Sequence, residues 1–121
     1  ARLSSPRFMA FDDVGNLLVA DMEAGAVIRY PATAEGAIEP AAAPPAPLLD
    51  GLDIPSSLAL VEIDGQTWLY VGEQTRVARF PYDPAGPAGA AEVVVPDLPP
   101  AGQHVTRTVA IGPEGDLYVS V

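Results

Sequence analysis

Apolar residues occur along this chain in short runs that are separated by Gly, Asn, Asp and Pro. Three segments share one pattern, in which an apolar run, a turn with Asp and Gly, and a second apolar run follow each other. They are FMAFDDVGNLLVAD (8–21), LALVEIDGQTWLYVGE (58–73) and TVAIGPEGDLYVSV (108–121). Two short apolar runs around such a turn predict a β-hairpin. The pattern therefore predicts three hairpins.

The three hairpins belong to a longer repeat. Aligning Leu17, Leu69 and Leu117 gives spacings of 52 and 48 residues. The match continues beyond the hairpin, because VIRYP (27–31) is answered by VARFP (77–81). An Ala- and Pro-rich stretch follows each time and leads to a fourth apolar run, LLDGL in the first copy and EVVVPDL in the second. The chain thus holds two full copies and half of a third.

Four short antiparallel strands repeated at about 50 residues are typical of β-propeller blades. The predicted first strands are 8–11, 58–62 and 108–111; the second strands are 17–20, 68–72 and 117–121; the third are 27–30 and 77–80; the fourth lie around Leu48 and Val94. The fold class is therefore all-β, a partial β-propeller of about two and a half four-stranded antiparallel blades. Proline in the Ala-rich stretches excludes helix there.

We expect one partial propeller domain over 1–121, with blade 1 at about 6–52, blade 2 at about 54–98 and the first hairpin of blade 3 at about 104–121. An antiparallel sandwich with similar hairpins is the alternative fold. The repeated R-[YF]-P after the hairpin is hard to explain by a sandwich. Because propellers usually carry 4 to 8 blades, these blades cannot close a ring by themselves.

Composition narrows the possible partners. Sixteen Asp and Glu stand against six Arg and no Lys, for a net charge of −10. Such a chain repels phosphate backbones and anionic lipids, so a nucleic-acid partner and a membrane surface are not expected. The longest apolar stretches are far shorter than the roughly 20 residues that span a bilayer. The absence of Cys excludes a disulfide and a thiolate nucleophile.

Strand direction alternates within a blade, and this places the charged residues. The segment before the first strand and the segment after the second strand emerge on one rim, while the hairpin turns emerge on the other. The first rim collects Arg7, Asp21, Glu23, Asp53, Glu73, Arg76, His104 and Arg107. The opposite rim carries only turn residues, and no chemistry is expected there. Trp68, Tyr70 and Tyr118 are predicted to pack between blades.

The segments PRFMAFDDVGNLLVADMEAGAVIRYP, LALVEIDGQTWLYVGEQTRVARFPYDP and above all GQHVTRTVAIGPEGDLYVSV resemble the glucose/sorbosone dehydrogenase family. These are six-bladed propellers that use pyrroloquinoline quinone (PQQ) and calcium. The similarity covers essentially all 121 residues, but only the N-terminal portion of a family domain. It implies part of a quinone-dependent dehydrogenase for aldose- or sorbosone-type sugars, in the periplasm or secreted.

The resemblance also implies site residues. In that family a histidine before the strand of a GP(D/E)G-LYV hairpin is the general base, and His104 holds this position. A neutral imidazole, with an ordinary pKa of about 6.5, can accept an alcohol proton near neutral pH. The alternative for His104 is a loop histidine bonded to backbone. Arg107 and Glu73 are predicted to contact the cofactor, although Arg107 could pair with Glu73 instead. No metal ligand is assigned, because the chain has no DxDxDG-like spacing.

Two other functions remain open from the sequence. A non-catalytic propeller segment could self-assemble or bind a partner through its open blade edges, and three copies of two blades would give six. A lactonase-like hydrolase is the further alternative, and it would require metal-dependent activity without a quinone. The isolated chain is expected to be inactive, because the blades that complete a cofactor cavity are not among these residues.

Overall fold

The computed structural model describes residues 3–39, 45–99 and 102–121. These ranges contain nine β-strands in three antiparallel sheets. The strands are β1 (Pro6–Phe11), β2 (Leu17–Asp21), β3 (Ala26–Tyr30), β4 (Ser57–Ile63), β5 (Gln66–Gly72), β6 (Val77–Pro81), β7 (Glu92–Val95), β8 (Thr108–Ile111) and β9 (Leu117–Ser120). The sheets follow chain order as β1-β2-β3 (the first blade), β4-β5-β6-β7 (the second blade) and β8-β9 (the third blade). The prediction of an all-β partial propeller is confirmed.

The fourth strand of the first blade is reduced to a bridge. Val27 of β3 donates its N–H to the Leu49 carbonyl (2.9 Å), and the Leu52 N–H donates to the Gly25 carbonyl (2.9 Å). Pro45 and Pro47 precede this segment and lack backbone donors, so a longer ladder cannot form before Leu48. The described residues therefore form nine strands, and a bridge at Leu49 stands where the sequence predicted the tenth strand.

None of the described residues is helical. In this part of the chain there is accordingly no helix that is long and apolar enough to cross a membrane. The sequence predicted no helix in the Ala- and Pro-rich stretch of the first blade. The described residues before and after its middle are not helical, in agreement with this prediction. Its middle, residues 40–44, lies outside the described residues.

The first strands of the three blades are neighbours. β1 lies beside β4, and β4 lies beside β8, whereas the remaining strands extend away from this row. The predicted first strands FMAF, LALVE and TVAI therefore form one row, with one strand from each blade. Innermost strands that follow one another around an axis are the arrangement of a propeller.

The second blade is covered on both faces. Along β5 the side chains alternate, so that Leu69 and Val71 pack with Leu18 and Val27 of the first blade. Tyr70, from the other face, packs with Val109 of the third blade, and Trp68 lies against this cluster. The inter-blade packing predicted for Trp68 and Tyr70 is confirmed.

The outer faces of the first and third blades are not covered by the described residues. Ala10 packs toward the second blade, so Met9 and Phe11, next to it in the pleat, point to the opposite face. They are 64% and 65% exposed. Tyr118 of β9 is also exposed, at 61%, so the described residues do not provide the inter-blade contact predicted for this side chain.

A buried polar network joins the first two blades on the rim of the hairpin turns. The Tyr82 hydroxyl donates to Asp12 Oδ2 (2.6 Å), and Asn16 Nδ2 donates to the same oxygen (2.8 Å). Asn16 Nδ2 also reaches the Pro84 carbonyl (3.2 Å). Burial raises the pKa of the Asp12 carboxyl, but the hydrogen bonds from Tyr82 and Asn16 together outweigh burial and hold this pKa below its ordinary value.

A second junction, between the second and third blades, uses two buried serines. Ser56 Oγ accepts from the Arg107 N–H (2.8 Å) and lies 2.9 Å from the Arg107 carbonyl, to which Ser57 Oγ donates (2.8 Å). The Val109 N–H in turn donates to Ser57 Oγ (3.0 Å). The hydroxyls thus supply backbone partners that no neighbouring strand provides at this place. Gly72 packs against the junction without a side chain.

Replacing Tyr82 by Phe should weaken the first junction in a pH-dependent way. Asp12 has a lowered pKa in the folded state, so its contribution to stability is complete above the ordinary Asp pKa of about 3.9 and is lost as pH falls through the lowered value. At pH 7 we expect Tyr82→Phe to lower the free energy of unfolding by about 1.5–3 kcal/mol, since a hydrogen bond to a buried charge is lost. Urea unfolding of the natural full-length protein at pH 7 and pH 3 measures both values.

The difference between variant and parent should shrink at pH 3. Asp13→Asn, which changes the exposed neighbour of Asp12 in the same turn, is the matched control and should change stability by less than about 0.5 kcal/mol. An equal effect of Tyr82→Phe at both pH values would contradict the assignment to the charged Asp12.

Replacing Gly72 by Ala should disturb the second junction. A Cβ at Gly72 would lie 2.6 Å from Ser57 Oγ and 2.9 Å from the Arg107 carbonyl oxygen. Because the second of these is backbone, the strands must separate, and we expect a loss of about 1–3 kcal/mol in the free energy of unfolding. Gly102→Ala, where a Cβ meets nothing within 4 Å, is the control. Equal unfolding midpoints for the two variants would refute the close-packing argument.

Candidate functional site

The rim opposite the hairpin turns is built around two buried carboxylates. Asp21, at the end of β2, accepts the N–H groups of Ser4 and Ser5 at 2.7 Å each. Glu73, directly after β5, accepts the N–H of Asp53 at 2.9 Å. Each of the two residues is 1% exposed. In both blades a carboxylate therefore fixes the segment that leads into the first strand of the same blade.

Glu73 uses its second oxygen as well. Its Oε2 accepts from Arg76 Nε at 2.5 Å, and the Gln74 N–H returns to the Asp53 carbonyl at 3.0 Å. Both oxygens of Glu73 are thus engaged within the second blade. The ion pair that the sequence left open between Arg107 and Glu73 is absent from the described residues, because Glu73 pairs with Arg76.

Arg107 lies at the junction of the second and third blades and is 3% exposed. Its Nη1 donates to the carbonyls of His104 and Thr106 (3.1 Å each), and its Nη2 donates to the Pro99 carbonyl (2.8 Å). Nε is buried and has no hydrogen-bond partner among the residues that the structure describes. Contact of Arg107 and Glu73 with a cofactor stays a prediction.

His104 lies in the loop that leads into β8, and its side chain is exposed. Its backbone carbonyl accepts from Arg107, so this end of the loop is attached to a buried group. Within the described ranges the imidazole makes no hydrogen bond, so the backbone bond of the alternative interpretation is not seen there. The structure brings the backbone of His104 and the side chain of Arg107 together.

Metal ligands do not gather in the part of the chain that the structure describes. No group of three or more His, Asp or Glu in these ranges could hold a metal ion. Asp21 is occupied by backbone N–H groups, Glu73 by a backbone N–H group and Arg76, and Glu23 is exposed to solvent. Calcium therefore stays an expectation that rests on the family resemblance.

The hairpin-turn rim holds a cleft that the sequence did not suggest. It has a volume of about 340 Å³ and is lined by Phe11, Asp12, Asp13, Leu60, Val61, Glu62 and Thr67. Asp12 is taken up by the network with Tyr82 and Asn16, so it is not free to bind. The sequence also missed the role of Ser56 and Ser57, because their partner Arg107 lies about 50 positions away and no local motif links them.

Solved structures support the same architecture. The iodide structure of the Trichoderma reesei Carbohydrate-Active Enzymes Family AA12 protein is 27% identical, with a TM-score of 0.76 over 98% of this chain and 30% of that chain. The holo form of the pyranose dehydrogenase PQQ domain from Coprinopsis cinerea is 24% identical, with a TM-score of 0.72 over 93% of this chain and 26% of that chain. The second likeness shows the fold alone. This chain thus spans less than a third of either relative.

A search of curated protein sequences gave no match. The sequence profile of the TrAA12-like family matches residues 1–121, which is the whole chain. The family resemblance carried by GQHVTRTVAIGPEGDLYVSV, over only part of a longer domain, is confirmed by this profile and by the AA12 structure. On the family match together with the shared propeller fold, this chain belongs to the TrAA12-like family.

Proposed function

We propose that this chain is part of a PQQ-dependent sugar oxidoreductase and that His104 is the general base of the reaction. The observation that carries the proposal is an exposed imidazole on a loop whose backbone is bonded to the buried Arg107, within a TrAA12-like propeller. The relatives support the chemistry by their descriptions, one as a carbohydrate-active protein and the other as a PQQ domain of a pyranose dehydrogenase.

The bound quinone would supply an acceptor for the hydride of the sugar carbon that carries the hydroxyl group. The hydroxyl proton needs a separate acceptor, and a neutral imidazole nitrogen suits this task near neutral pH. His104 is the only histidine of the chain. Because its ring is exposed, a substrate can approach it without displacing a packed side chain.

The residues of this rim fit an anionic quinone in part. PQQ carries carboxylates, and Arg7, near the start of β1, is exposed and forms no ion pair within the described ranges. Arg76 is paired with Glu73, and Arg107 donates to carbonyls. Since this chain matches about 30% of the AA12 relative, we propose that further blades supply the other quinone contacts and any calcium ligands. A periplasmic or secreted location belongs to the same proposal.

Replacement of His104 by Gln tests the base. In the natural full-length protein supplied with PQQ, we expect dye-linked oxidation of aldoses to slow by about 100-fold or more, because glutamine cannot accept the proton. The thermal unfolding midpoint should stay near that of the parent, since the imidazole is exposed. Glu114→Gln, in the exposed turn of the same hairpin on the other rim, is the control. A His104→Gln protein that turns over at the parental rate would rule out the base.

A second candidate function is association through the open blade faces, which the exposure of Met9 and Phe11 favours. Apolar faces of this kind are normally covered by another sheet. Further blades of the same protein would cover them in a full ring, and additional copies of this chain would do so in a trimer of two-blade units. The lactonase-like hydrolase stays an alternative that metal-dependent hydrolysis without quinone would reveal.

The isolated 121-residue chain provides the corresponding test. We expect it not to persist as an ordered monomer, because a propeller segment without its neighbours leaves apolar sheet faces in water. Native mass measurement and size-exclusion chromatography distinguish a monomer from a trimer or larger aggregates. We also expect no sugar oxidation by this chain with PQQ added. An ordered, active monomer would contradict both expectations.

A further inference from the structure

Arg107 is a buried cation without an anionic partner in the described ranges. Only 3% of the residue is exposed, and the two ion pairs in this part of the chain involve Arg76 and Arg79. Taking an unpaired charge out of water is costly unless hydrogen bonds compensate for it. Here the compensation comes from three backbone carbonyls. Solubility and surface charge do not explain an arginine that is buried in this way.

The three carbonyls show what the guanidinium holds. Nη2 bonds Pro99, which lies before Gly102 and Gln103, and Nη1 bonds His104 and Thr106, which lie after them. One side chain thus connects both sides of the segment that carries His104. The planar guanidinium suits this task, because its N–H groups point in several fixed directions within one plane.

The backbone of Arg107 is itself held in place. The Arg107 N–H and carbonyl are bonded to the hydroxyls of Ser56 and Ser57, both of them buried beside the start of β4. The Val109 N–H adds a further bond to Ser57. The guanidinium therefore extends from a backbone that is joined to the second blade, and it connects the His104 loop to that blade.

We propose that Arg107 is a positioning residue, which holds the backbone of Pro99, His104 and Thr106 by its guanidinium and thereby sets the place of His104. It acts through the loop backbone. This inference rests on the proposed function where catalysis is concerned, since it takes His104 as the base. The holding of the loop itself depends only on the hydrogen bonds of Arg107.

Amide hydrogen exchange tests the holding of the loop without any activity. In the natural full-length protein without quinone, Arg107→Gln should speed exchange of the amides at 102–106 by about tenfold or more, because three carbonyl bonds are lost. Arg79→Gln is the matched control. In the described part of the chain Arg79 Nε is also buried without a partner, but Arg79 bonds Tyr70 and Glu92 on the second blade. It should leave exchange at 102–106 at the parental rate.

Arg107→Lys separates geometry from charge and carries the test if the glutamine variant does not fold. An ammonium keeps the charge but lacks the planar fork, so exchange at 102–106 should still rise at least about threefold. Parental exchange in both Arg107 variants would overturn the proposal. So would a rise of the same size in Arg79→Gln.

Kinetics then connect the loop to His104. Arg107→Gln should lower kcat by about 10- to 100-fold, as expected when a catalytic group is misplaced, without raising the PQQ concentration that gives half-maximal activity. Combined with His104→Gln, it should cause little further loss, since both changes then act on one group. Two results would overturn the proposal and favour direct contact of Arg107 with the cofactor. One is a double variant whose loss in kcat is the product of the two single losses, and the other is a raised PQQ requirement while loop exchange stays at the parental rate.

The two proposals fail in different ways. If His104→Gln alone keeps the parental rate, the base assignment is lost, whereas loop exchange in Arg107→Gln still decides whether Arg107 holds the loop. If His104→Gln is inactive but loop exchange is unaffected by both Arg107 variants, the base survives and the positioning role is lost.

Discussion

The structure depends on the packing of one sheet against the next. Each blade is a small antiparallel sheet, and in the described residues no helix is present to cover its faces. Burial of Leu69 and Val71 therefore requires the first blade, and burial of Tyr70 requires the third. Because these residues lie on opposite faces of β5, the second blade is stabilised only when both neighbours are in place.

Polar groups fix the relative positions that apolar packing leaves open. Apolar contacts are non-directional, but the bonds of Tyr82 to Asp12 and of Ser57 to Arg107 have defined geometry. One of these junctions lies at each rim, so sliding of one sheet over another would break at least one of them. Loss of either junction would lower the free energy of unfolding substantially, because it would leave a buried polar group without a partner.

Hydrogen bonds within the chain also determine which side chains of the candidate site are exposed. A rim rich in Asp, Glu and Arg suggests a binding surface, yet Asp21 and Glu73 are committed to backbone N–H groups of their own blades. Arg76 and Arg107 are likewise engaged within the chain. Among the predicted site residues, His104 is the one whose side chain is exposed, and its backbone is held by Arg107. Asp21, Glu73, Arg76 and Arg107 thus hold loops of this rim rather than presenting free charges.

The sequence by itself determined the strands and their repetition. Alternation of apolar residues, turn residues with Gly and Asp, and the repeat of about 50 residues can all be read from the sequence, so the hairpins and the first strand of each blade could be derived from them. The fourth strand of the first blade was overestimated, because Pro45 and Pro47 limit its pairing to a bridge at Leu49. The family resemblance was also accessible, since GQHVTRTVAIGPEGDLYVSV is one continuous segment.

Only the tertiary structure decided which charges are free. Glu73 could pair with Arg76 or with Arg107, and nothing local in the sequence distinguishes these partners. Arg107 is buried because the third blade packs on the second, and its bonds to Ser56 join residues that lie about 50 positions apart. Hydrogen bonds and burial of this kind depend on distances between blades. Local sequence sets the strands of each blade, whereas the contact between blades sets the role of each charged side chain.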